Sequence, residues 1–248
     1  MEAVFNLSLP TDWGELSDKQ LRLVYELFAR ELSAAEVKTL CLLRWNHIEV
    51  ITKTDEHCFL MKRGKAKVIL SARQIQQATA TLDFIDNLPA VPIRLSRIGR
   101  HRALPADFEK VPFEKYLYVE NLFQGFLHTE DEKLLLQMAQ VLYDSDKVKP
   151  SKAELVSIFY WFASLKQYFS RIFPHFYTPI SNTDGNNLGS ASLYDQLREA
   201  TNAQIRALTG GDITKEDAIR QMDTHRALTE LDAKAKESEE YKRLIKSH

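Results

Sequence analysis

Residues 151–169 read Ser151-Lys-Ala-Glu154-Leu-Val-Ser-Ile158-Phe-Tyr-Trp-Phe162-Ala-Ser-Leu165-Lys-Gln-Tyr-Phe169. Ser151 and Glu154 have the spacing of a capping box, in which the hydroxyl accepts from the N3 amide and the N3 side chain reaches back to the cap amide. Ile158, Phe162, Leu165 and Phe169 then recur at helical spacing and make one apolar stripe. The stretch predicts a helix over 152–172, buried along that stripe. Its apolar run, Leu155 to Leu165, is too short to span a membrane and is flanked by Lys152 and Lys166. Tyr160, Trp161 and Tyr168 fall partly off the stripe. They are candidate partner-binding residues, because Tyr and Trp dominate binding hot spots.

The same signature recurs outward along the chain, at Ser33-Ala-Ala-Glu36, Ser71-Ala-Arg-Gln74 and Thr129-Glu-Asp-Glu132. Each stands before an apolar-periodic run, and glycine is scarce, at eight residues, so few positions interrupt a helix. A first helix is expected from Ser17 to about Glu31, and further helices follow Ser33, Ser71 and Thr129. Ala191 to Leu208 and Lys215 to about Ile245 also read as helical. Between residues 47 and 70 the pattern changes: Cys58-Phe-Leu-Met-Lys62 and Ala66-Lys-Val-Ile-Leu70 flank Arg63-Gly-Lys65, an antiparallel hairpin or meander with Gly64 at the turn. The fold class is mainly α, bundle-like, with a small antiparallel β-hairpin or meander near residues 47–70.

Residues 87–112 hold Pro89, Pro92, Pro105 and Pro112, half of the eight prolines, so neither a continuous helix nor a central strand can run through them. They read as an ordered Pro/Arg-rich linker between an N-terminal helical lobe, 1–86, and a C-terminal helical lobe, 113–248. A single continuous domain is the other reading. Asp184-Gly-Asn-Asn187 carries turn chemistry, and Thr209-Gly-Gly-Asp212 reads as a helix stop and restart.

The chain has 248 residues, with 33 Lys+Arg against 34 Asp+Glu. A net charge of −1 is too small for a dedicated polyanion binder. Two cysteines cannot build a disulfide scaffold or a four-thiolate zinc site, and no metal site is expected. The first residues lack a secretion-signal pattern, and no stretch approaches 18 uninterrupted apolar residues, so a cytoplasmic protein without membrane contact is expected.

No phosphate-loop, Gly-x-Gly-x-x-Gly or Gly-x-Ser-x-Gly pattern occurs, and no two histidines stand at i, i+4. No cofactor and no catalytic residue is indicated. That lowers the expectation of an enzyme without closing it, since residues distant in sequence can meet in a fold.

Charge is locally segregated. Residues 62–102 hold nine Lys/Arg and two acids, a net of +7. Lys62, Arg63, Lys65, Lys67, Arg94, Arg97, Arg100 and Arg102 are candidate anion-binding residues that could grip phosphates. The competing reading pairs them with the acidic flanks, residues 1–61 and 103–135, each at −4. No aromatic lies between Leu88 and Arg102 to stack on a base. On the terminal helix, Leu228 and Leu231 lie on a narrow apolar stripe suited to a partner, beside favourably ordered pairs such as Glu230–Lys234.

Leu9-Pro-Thr-Asp-Trp-Gly-Glu-Leu-Ser-Asp-Lys-Gln-Leu21, Asp86-Asn-Leu-Pro-Ala-Val-Pro92, Asn202-Ala-Gln-Ile-Arg-Ala-Leu-Thr-Gly-Gly-Asp212 and Arg226-Ala-Leu-Thr-Glu-Leu-Asp232 resemble an uncharacterised family of phage- or prophage-type proteins. The resemblance spans most of the chain and carries no catalytic motif. It implies a tail-assembly or accessory role. The function expected is therefore a non-enzymatic assembly or accessory protein acting through a protein partner or self-association, with nucleic-acid binding by residues 62–102 as the alternative.

Overall fold

A computed structural model describes residues 7–30, 32–177 and 193–246. The fold is mainly α with a minor β part, a three-stranded antiparallel sheet and a two-stranded one. Chain contacts divide it into two compact units: Met1–Pro89 with Ser151–Tyr160, and Ala90–Pro150 with Trp161–His248.

The first unit holds α1 (Asp18–Phe28), α2 (Ala34–Trp45), strands β1 (Glu49–Lys53), β2 (Cys58–Arg63) and β3 (Ala66–Ser71), and α3 (Ala72–Thr79), which runs into a 3-10 helix over Ala80–Asp86. Capping boxes start α1 at Ser17, α2 at Ser33 and α3 at Ser71. The sheet order is β1-β2-β3, with Lys62 opposite Lys67 and Arg63 opposite Ala66. A two-residue loop, Gly64-Lys65, joins β2 to β3, and Gly64 sits at φ 59°, where a side chain is disfavoured. The core gathers Leu21, Val24, Tyr25, Val37, Cys41, Met61 and Leu82, all buried. Trp13 closes it, its Nε1 donating to the carbonyls of Phe84 and Asn87, each at 3.0 Å.

The helix α6 (Lys152–Ile172) belongs to both units, because the division falls between Tyr160 and Trp161. Its capping box forms as expected, Glu154 N donating to Ser151 Oγ at 3.3 Å and Ser151 N to Glu154 Oε2 at 2.9 Å. Tyr160 completes an aromatic cluster with Tyr25 and Phe28, at centroid distances of 5.8 and 5.0 Å.

The second unit holds β4 (Arg97–Ile98), β5 (His101–Arg102), α4 (Phe113–Thr129), α5 (Glu132–Leu142), the later part of α6, α7 (Leu193–Thr209), α8 (Glu216–Arg220) and α9 (Thr224–Lys246). Residues 90–112 are part of it, which corrects the reading of 87–112 as a linker. Leu95, Ile98, Phe108 and Val111 are buried. Apart from the short β4–β5 pair, prolines limit regular pairing in this segment, so many of its polar groups are met by distant partners. Tyr143 donates its hydroxyl hydrogen to Leu95 O at 2.8 Å, and Trp161 Nε1 donates to Ala106 O at 2.8 Å. Thr224 Oγ1 donates to Val111 O at 2.7 Å, and Phe113 N donates to Met222 O at 2.8 Å.

Those last bonds explain a second correction. The helix expected from Lys215 is interrupted at Gln221–Asp223, where the backbone turns to meet residues 110–113. Asp223 also accepts from Lys110 N at 2.6 Å and from Arg226 N at 3.0 Å, capping α9. A third concerns Thr129, which ends α4 rather than starting a helix: its hydroxyl donates to Gly125 O, and Asp131 caps α5 by accepting from Lys133 N at 3.0 Å. The turn expected at Asp184–Asn187 lies outside the described residues.

Candidate functional site

The eight basic candidates fall in different units. Lys62, Arg63, Lys65 and Lys67 belong to the β2–β3 hairpin of the first, where Lys65 and Lys67 are exposed and Lys62 lies 3.8 Å from Glu49. Arg94, Arg97, Arg100 and Arg102 belong to the second. Arg94 is a structural residue: its Nε donates to Leu104 O at 2.5 Å and its guanidinium lies 5.9 Å from the Trp161 ring centroid. Arg97 and Arg102 face each other across the β4–β5 pair, and Arg97, Arg100 and Arg102 are exposed. Gly99, at φ 56°, makes the turn that carries Arg100.

The aromatic and apolar candidates are corrected by burial. Trp161 is 1% exposed, held among Phe108 and Tyr143. Leu228 and Leu231, at 0% and 5%, are core of the second unit. Tyr160 is half-buried against Tyr25 and Phe28, and Tyr168 is half-buried beside Phe169. The stripe on α9 packs within its own unit and does not serve a partner there. Farther along α9 the chain is open: Tyr241 and Ile245, four residues apart on one face, are 67% and 58% exposed.

The apolar surface that sequence reading missed is a groove of about 390 Å³ in the first unit. Leu43 of α2, Val50 of β1, Phe59 and Met61 of β2 and Ile75 of α3 contribute to its walls, and no charged side chain lines it. The sheet pleat sends Phe59 and Met61 to the helix side, while Lys62 and Lys67 point away from it. β1 runs along the sheet edge with all five residues exposed, so among the described residues its outer backbone groups lack a strand partner. These lining residues are 32 positions apart at the extremes, and only the packing of α2 and α3 on the sheet makes them neighbours.

Thiol chemistry has little purchase. Burial pushes the Cys41 thiol up to about 12, and burial also raises Cys58. Among the described residues no group of three or more His, Cys, Asp or Glu is placed to hold a metal ion, and no helix is long and apolar enough to cross a membrane. No protein-family model, curated protein or solved structure matches the chain.

Proposed function

We propose that this protein is a non-enzymatic assembly or accessory protein acting through protein–protein contacts, and that the groove of the first unit is the contact site. The observation that carries this reading is the groove itself, concave, apolar and bounded by an exposed edge strand. Such a surface takes an amphipathic helix by its apolar face. A second copy can supply one, since Tyr241 and Ile245 form an exposed apolar edge on α9. The likeness to phage- or prophage-type proteins supports an assembly setting, and two free thiols, Cys41 and Cys58, go with a cytoplasmic one. Sedimentation velocity over a concentration series tests it. Self-association is expected in the wild type and is weakened by Val50→Lys and by the pair Tyr241→Glu and Ile245→Glu. A wild type that stays monomeric at every concentration overturns the self-association reading.

Nucleic-acid binding is a second reading, supported by the exposed arginines of the β4–β5 turn. The variant that tests it replaces Arg97, Arg100 and Arg102 and spares Arg94, which the fold uses. Binding to single- or double-stranded DNA that falls steeply with salt and vanishes in this variant would support it. Its absence in the wild type at low salt would end it.

A further inference from the structure

The first unit carries a second concavity, a cleft of about 470 Å³ between α1 and the end of α2. Its size lies within the range of small-molecule sites. Three cations line it, Lys19 and Arg22 from α1 and Arg44 from α2, together with His47 and a single carboxylate, Glu26. His47 follows directly on α2 in the left-handed region, at φ 53°, and turns the chain at the cleft.

These charges are not equally engaged. Arg22 is committed to Glu154, Nη1 to Oε1 at 2.5 Å. Lys19 and Arg44 are exposed and have no carboxylate partner among the described residues. Glu26 lies seven residues beyond Lys19 on α1, about 10 Å along the axis, so the Lys19 end of the cleft is positive. Trp45 also lines the cleft. It is half-buried.

The geometry points to a binding site for a small organic anion, one whose carboxylate or phosphate group meets Lys19 and Arg44 while a flat ring lies along Trp45. Cations recognise the charged group, and the indole supplies an apolar, polarisable surface for the ring. The inference is independent of the apolar groove, with which the cleft shares no lining residue, and of any protein partner. The residues involved, 19 to 47, are too far apart and too ordinary in type to form a motif, which is why no sequence pattern marks them.

Isothermal titration calorimetry on the full chain tests it, with AMP and benzoate as anion-plus-ring probes, and with inorganic phosphate and adenosine as the anion-only and ring-only arms. Saturable binding of AMP or benzoate is expected, at least about tenfold tighter than either single-feature arm. Lys19→Ala with Arg44→Ala should weaken it about tenfold or more, and raising the salt should mimic that loss. Both side chains are exposed, so circular dichroism and the melting temperature should not move. Trp45→Leu should weaken AMP and benzoate while leaving inorganic phosphate unchanged. No saturable heat with either probe up to about 10 mM overturns the site. So does wild-type affinity in the Lys19/Arg44 variant.

Discussion

Trp161 Nε1 donates a hydrogen bond to the carbonyl oxygen of Ala106 at 2.8 Å. The bond joins α6 to a proline-rich stretch whose only ladder is the short β4–β5 pair. Trp161→Phe would keep an aromatic ring in the site and leave the part-buried Ala106 carbonyl without its donor. We expect a loss of about 1–3 kcal/mol in chemical denaturation, from the orphaned acceptor and the void together. An unchanged midpoint would show that water replaces the indole.

Ser33 and Thr129 head the same sequence signature and have different fates. Ser33 caps α2 with both bonds of the box, whereas Asp131, not Thr129, caps α5. Ser33→Ala should cost about 1 kcal/mol and Asp131→Ala a similar amount. Thr129→Ala should cost clearly less, as measured by urea unfolding of the three variants side by side.

Glu154 links acid sensitivity to the first unit. Burial raises its pKa, but the Ser151 amide and the Arg22 guanidinium outweigh that and hold the carboxyl below the usual carboxylate range. A folded-state value below the unfolded one gives stability that is present above the unfolded value and lost as the pH falls through the lowered one. Glu154→Gln should therefore be less stable than wild type at pH 7, and the gap should close as the pH falls below about 4. A gap that persists unchanged at pH 3 would show that Glu154 acts through packing alone.

The two thiols should separate in reactivity. Cys58 is half-buried, whereas Cys41 is buried and its thiol is pushed up to about 12. With a thiol reagent near pH 8, one equivalent should react from the native chain, at Cys58, and the second only on unfolding. Fast native labelling of Cys41, located by mass spectrometry, would contradict the packing of α2.

Much of the fold was legible because it is written locally. The boxes at Ser33, Ser71 and Ser151, the turn at Gly64 and the stripe Ile158, Phe162, Leu165 and Phe169 depend on neighbours within a few turns. The box at Ser17, with Gln20 as its partner, is equally local and was overlooked. What was not legible depends on distant covering. Trp161 reads as off-stripe, but Phe108 and Ala106 cover that side of α6, so the helix is buried on more than one face. Leu228 and Leu231 read as a free stripe because nothing in α9 itself says that its own unit packs on it. The groove and the cleft were invisible for the same reason: each takes its walls from elements that sequence alone does not place side by side.

The sharing of α6 between the two units has a consequence for the order of events during synthesis. Residues 1–89 are complete long before 151–160 are made, yet Tyr160 is part of the cluster with Tyr25 and Phe28, and Glu154 is the partner of Arg22. A nascent first unit therefore waits with part of its core open until α6 arrives. Release of that early stretch by itself, by premature termination or by cleavage after residue 89, would yield a fragment that exposes the cluster and depends on chaperones, not a small folded domain.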